Sequence, residues 1–149
     1  MKLQKQTLIA LLATLELARD PSRTLSAGEI ADQFSISVNH LAKVLRDLGR
    51  AGLVEAVRGV GGGYRFSGNA KRTSLYDVIH LFGDIAGDAG DIAGPTAATD
   101  IGQGLASVLS EIDDIAIATF KSISLATLLK SLERTKDRQR ALLHALATP

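Results

Sequence analysis

The segment LSAGEIADQFSISVNHLAKVLRDLGRAGLVEAVRGVGGGYRF, residues 25–66, constrains the fold of this chain more than any other stretch. Ser26 followed by Glu29 has the S-x-x-E spacing of a capping box, which satisfies two backbone N–H groups at the start of a helix. The helix it opens is predicted over Ser26–Gln33, with Ala27, Ile30, Ala31 and Phe34 on one apolar face. Ser35 and Ile36 leave room only for a tight turn. Ser37 then caps a second helix running to about Ala51, with Leu41, Val44, Leu45 and Leu48 inward. Asn39, His40, Lys43, Arg46 and Asp47 point the other way. Gly52 ends this helix. Val54–Arg58 and Tyr64–Phe66 alternate as strands do, and Gly59–Gly63 joins them as a hairpin tip.

Two short helices joined by a tight turn and followed by a glycine-tipped hairpin are the parts of a winged helix-turn-helix. The second helix has an apolar side that locks it in place. Its polar side offers an amide, an imidazole and cations, which suit base edges and phosphates. Asn39, His40 and Lys43 are the candidates for base readout, and Arg46 and Arg50 for phosphates. Arg58 stands beside a tip nearly bare of side chains, where a cation can enter a narrow, electronegative minor groove. Gly59, Gly61, Gly62, Gly63 and Tyr64 complete the hairpin part of the surface. The glycines do not make a phosphate-binding G-x-G-x-x-G loop, because they lie between two strands and not between a strand and a helix.

The residues SVNHLAKVLRDLGRAGLVEAVRGVGGGYRF resemble the Rrf2 family of bacterial regulators. VRGVGGGYRF (Val57–Phe66) is the most specific piece, and Asn39, His40 and Lys43 are closest to the nitric-oxide-responsive branch. The resemblance extends from the first helix to about Leu129. It implies a homodimeric transcription factor with a long dimerisation helix, and it adds Ser37 to the reading surface. In cluster-binding members, the region equivalent to residues 83–104 carries three cysteines. This chain has none anywhere. Thiolate ligation of an iron–sulfur cluster is therefore excluded, and no cofactor is expected.

Charge distribution agrees with this division. The net charge of +1 over 149 residues conceals a basic head, with 11 Lys or Arg against 6 Asp or Glu in residues 1–72. Residues 73–130 hold 2 against 8, and residues 131–149 hold 4 against 2. The basic excess coincides with the segment expected to meet phosphates.

The rest of the chain reads in order. Residues 1–19 pattern as an amphipathic helix with Leu8, Leu11, Leu12, Leu15 and Ala18 on one side. Lys2, Lys5 and the apolar run imitate a signal peptide, but Glu16 interrupts it and no cleavage site follows. No segment approaches the roughly 20 apolar residues of a membrane span. Lys71 and Arg72 follow the hairpin. Ser74 caps a helix LYDVIHLFGDI with Leu75, Val78, Ile79 and Phe82 inward. Gly83–Gly104, with six glycines and four aspartates, has no periodicity and reads as a loop. Asp84, Asp88, Asp91 and Asp100 are hard-cation donors in type, but their spacing matches no EF-hand, and no metal site is assigned. Leu105, Val108, Leu109, Ile112, Ile115, Ala116 and Phe120 form a helical stripe that needs a partner surface, most simply a symmetry mate. Lys130–Leu146 reads as a last, highly charged helix.

The expected class is mainly α with a small β-hairpin wing. Three parts are expected: a DNA-binding domain (1–73), a linking helix and loop (74–104), and a dimerisation and C-terminal helix (105–149). The expected function is a cytoplasmic, sequence-specific repressor that binds a pseudo-palindrome on double-stranded DNA as a homodimer; a protein effector, a small-molecule effector and constitutive repression all stay open. A winged-helix module that binds protein instead of DNA is the alternative. Catalysis is not expected: there is no cysteine, no nucleophile elbow, and no carboxylate motif matched to His40, His80 or His144.

Overall fold

The computed structural model describes residues 3–83, 85, 92 and 94–147. Its elements are α1 (Lys5–Arg19), α2 (Ala27–Phe34), α3 (Val38–Arg50), β1 (Val54–Val57), β2 (Gly63–Phe66), α4 (Leu75–His80), α5 (Asp100–Ser122) and α6 (Leu125–Ala147). A short 3-10 turn, Gly94–Thr96, precedes α5.

Helix α1 is the centre of the head and packs against α2, α3, α4, β2 and the start of α6. Its buried surface is made by Ile9, Ala10, Ala13, Thr14 and Leu17. The expected stripe of leucines is therefore only partly correct. Leu11 and Ala18 are buried, Leu12 and Leu15 are half-buried, and Leu8 is 49% exposed. A helix enclosed on most sides buries small residues that let neighbours approach, so its leucines alone misplace its inner face. Thr14 stays satisfied in this core because its hydroxyl donates to the Ala10 carbonyl at 2.7 Å.

Helices α2 and α3 form with the expected caps. Ser26 Oγ accepts from Glu29 N–H at 3.1 Å, and Ser26 N–H donates to Glu29 Oε2 at 2.7 Å. Ser35, with φ of 54°, closes α2 in the left-handed conformation, and the Ile36 N–H reaches back to the Ala31 carbonyl. Ser37 then caps α3. Leu41, Val44, Leu45 and Leu48 are fully buried, and they bind α3 to α1 and α2.

Strands β1 and β2 pair antiparallel with Glu55 opposite Arg65 and Val57 opposite Gly63. A third strand position comes from before α2: Leu25 pairs with Tyr64 through backbone bonds of 2.9 and 2.7 Å. The hairpin is thus tied to the residue next to the cap of α2.

The loop assigned to residues 83–104 needs correction at its end. Asp100, Gly102 and Gly104 belong to α5, which Thr99 caps by accepting from Gly102 N–H. Two glycines among its first five residues hide its periodicity from a sequence pattern. Gly102 is required there, because a Cβ would stand 2.8 Å from the Thr96 carbonyl carbon. Asp84, Asp88 and Asp91 lie outside the described residues. The helix expected after Ser74 is also shorter, ending at His80, although its capping box with Asp77 forms. Helix α5 lies along α4, where Lys121 Nζ sits 4.7 Å over the Tyr76 ring and Tyr76 stacks on His80. Backbone bonds Leu75 N–H to Ile123 O and Leu125 N–H to Thr73 O fasten the α5–α6 junction to the head.

Candidate nucleic-acid interface

Helix α3 turns one polar face outward. With Leu41, Val44, Leu45 and Leu48 buried, the 100° advance per residue places Asn39, Lys43, Arg46 and Arg50 together on the opposite side. All four are exposed. His40 falls at the edge of this face and is half-buried. Asp47 is on the same edge and holds Arg50 at 3.5 Å in an exposed ion pair. The Ser37 hydroxyl is exposed at the N-terminus of α3 and accepts from the His40 backbone N–H at 3.5 Å. The start of the helix thus presents a hydroxyl and unbonded N–H groups, both suited to a phosphate.

The hairpin supplies a second projection. Its tip is thin because Gly59 and Gly61 take φ of 105° and 74°, and Val60 stands entirely in solvent. Gly62 leaves no room for a Cβ, which would come within 2.8 Å of the Gly59 carbonyl. The two arginines at the hairpin are not equivalent. Arg65 is held across the strands by an ion pair with Glu55. Arg58 is exposed and, among the described residues, makes no ion pair. Gly63 and Tyr64 open β2 at the end next to the tip, Gly63 opposite Val57 and Tyr64 opposite Ala56, and Tyr64 packs partly against the core.

Electrostatics are otherwise quiet. Only Glu29 is clearly perturbed among the described residues: the Ser26 backbone N–H, then the Ser26 hydroxyl, hold its carboxyl below the usual carboxylate range. That is a capping effect at α2.

The stripe expected on α5 divides into two faces. Leu105, Val108, Ile112 and Ile115 are exposed, and Ile101 joins them at 85% exposure. Leu109 is half-buried, while Ala116 and Phe120 pack against the head with Ile117. The exposed five recur at intervals of four and three residues, the heptad spacing of a coiled-coil seam.

Sequence reasoning missed Leu25 and Ile101. Leu25 precedes the Ser26 cap and Ile30 is four residues into α2, so the hydrophobic-staple spacing was available to find it. Ile101 was hidden by its glycine neighbours.

A tight-turned helix pair with a polar outward face, flanked by a glycine hairpin, defines a winged helix-turn-helix of the DNA-binding class. The chain belongs to the Rrf2 family, described as iron-dependent transcriptional regulators, whose model matches residues 3–131. It is 51% identical over 138 residues to BadM of Rhodopseudomonas palustris, described as an HTH-type transcriptional regulator, covering 93% of this chain and 87% of that one. It is 40% identical over 80 residues to the regulator NsrR of Bacillus licheniformis, covering 53% of this chain and 56% of that one. Among solved structures, IscR of T. potens superposes with a TM-score of 0.72 at 24% identity, covering 91% of this chain and 90% of that one. CymR, the global cysteine regulator of B. subtilis, superposes with 0.72 at 22% identity, covering 88% and 98%.

The family's relatives are transcriptional regulators and not enzymes. Thiolate ligation of the iron in the family's description is not open to this chain. It has no cysteine, and among the described residues no three His, Asp or Glu converge. No helix among the described residues is long and apolar enough to cross a membrane.

Proposed function

We propose that this chain is a homodimeric, sequence-specific repressor that reads a pseudo-palindromic operator without an iron–sulfur cluster. The single observation that carries this reading is the convergence of Asn39, Lys43, Arg46 and Arg50 on the open face of α3, beside an arginine-flanked bare hairpin. Asn39, His40 and Lys43 read base edges, with Ser37 at the helix start. Arg46 and Arg50 hold phosphates. Arg58 enters the minor groove, with Gly59, Gly61, Gly62 and Gly63 letting the backbone approach and Tyr64 bracing the hairpin beside its tip. Each good base contact contributes about 1–3 kcal/mol of discrimination.

Dimerisation uses the seam Ile101, Leu105, Val108, Ile112 and Ile115, with the half-buried Leu109 beside it and Ala116 and Phe120 holding α5 to the head. Five apolar side chains more than half exposed on one line have no use in a lone chain. A two-fold pair would present two α3 helices to half-sites about one helical turn apart. A cytoplasmic location accords with this role. Sedimentation of the chain with promoter duplexes from its own genome tests the reading. The expected complex holds two chains per duplex, and Ile112→Glu with Ile115→Glu yields monomers. Sedimentation of a single unbound chain in dilute buffer would overturn the reading.

A further inference from the structure

We propose that the distal part of α6, residues 133–147, docks along the acidic edge of α5 in a second copy of this chain. The inference rests on the homodimer reading and adds a second contact to it.

Helix α6 continues past the family match, which ends at residue 131. Its residues 130–147 are exposed throughout, including Leu142, Leu143 and Leu146 at 63%, 67% and 80%. Residues 133–147, about 22 Å of helix, are thus exposed along their length, a length marginal in water by itself. Yet it is patterned. Leu142, Leu143 and Leu146, with the exposed Leu132, continue the face that Leu125, Leu128 and Leu129 begin against the head. On the helical wheel Arg140 and Lys136 border this face on one side and Arg138 on the other. Lys136 also meets Glu133 within the helix at 3.7 Å.

Charge selects the occupant. Helix α6 carries five Lys or Arg against two acids, whereas α5 carries four acids against Lys121. The acids of α5 are not scattered. Ala116, Ile117 and Phe120 mark its head side, and the seam comes next around the helix. Asp100, Glu111 and Asp114 lie beyond the seam, on the side away from the head, and all three are exposed. When two copies join through the seam, this edge turns towards the other protomer. A basic-rimmed leucine face on one chain and an acidic rim beside an apolar seam on its mate are complementary in both charge and hydropathy.

The test uses full-length chains and sedimentation equilibrium. Leu142→Ala, Leu143→Ala and Leu146→Ala combined should weaken the dimer about 100-fold, while the unfolding midpoint at monomeric concentration stays put. Arg138→Glu with Arg140→Glu should weaken it about tenfold, as should Glu111→Arg with Asp114→Arg. All four charge changes together should restore it, and high salt should erase the difference. Unchanged dimer constants in all these variants would overturn the proposal, including the case where DNA affinity alone falls. A monomeric parent chain would instead overturn the homodimer reading, a result visible before any variant is made.

Discussion

Replacing Gly63 by alanine should separate the wing from the helix-turn-helix it leans on. Gly63 has φ of 154°, and a Cβ there would stand 2.6 Å from the Leu25 carbonyl carbon and 2.8 Å from the Ser26 nitrogen. Those atoms are backbone, so no rotamer change relieves them. The strand must move, and the two bonds between Leu25 and Tyr64 go with it. Each such bond is worth about 1 kcal/mol. The strained φ adds about 1–2 kcal/mol. Because Ser26 caps α2, displacing it risks the cap, worth a further ~1 kcal/mol. The expected loss is therefore about 3–5 kcal/mol. Gly61→Ala is the control: its φ is 74°, but nothing lies within 4 Å of the added Cβ. It should cost only about 1–2 kcal/mol. Urea unfolding followed by circular dichroism gives both numbers. Equal losses in the two variants would refute the argument that Gly63 is required by contact and not merely by its dihedral angle.

Further outcomes follow from the same geometry. Leu45→Ala, at a fully buried position between α3 and α1, should cost about 2–5 kcal/mol by urea unfolding. Ser26→Ala should remove about 1 kcal/mol by loss of the cap on α2. Glu29 has a depressed pKa in the folded chain, so its contribution is present above the ordinary carboxylate pKa and fades as pH falls through the depressed value. The stability difference between wild type and Glu29→Gln should therefore shrink on acidification; a difference that grows would contradict the capping account. Lys121→Ala should loosen α5 from α4 by about 0.5–1 kcal/mol through loss of the contact with Tyr76, read as a lower thermal midpoint.

The head of the molecule was legible because its signals are local. Ser26, Glu29, Ser37 and Ser74 announce helix starts through spacing alone, and each cap forms. The inward face of α3 was likewise written in four residues at three- and four-residue steps. Harder to read were features set by long-range packing. The inner face of α1 depends on Ala10, Ala13 and Thr14, whose burial reflects how many elements crowd that helix. Leu25 gains its strand partner only when β2 arrives 39 residues later in the chain. The start of α5 was masked by Gly102 and Gly104, residues that lower helix propensity but serve a close approach at Gly102. For the candidate interface, sequence placed Asn39, Lys43 and Arg46 on one outward face and named Arg50 for phosphate, but set His40 and Asp47 with them where the structure has them at the edge. It chose Arg58 for the minor groove but offered no reason to set Arg65 aside, because the Glu55 that engages Arg65 sits ten residues away across a strand register.

The central claim is that the open face of α3 and the Arg58 hairpin together grip a duplex. It is tested most directly by the salt dependence of binding to the chain's own promoter DNA, compared between wild type and Arg58→Ala. Fluorescence anisotropy across a range of ionic strength should give a steep negative slope for wild type, and a slope shallower by about one for the variant, with weaker binding at every salt. Identical slopes and affinities for the two chains, or no binding by wild type even at low salt, would contradict it.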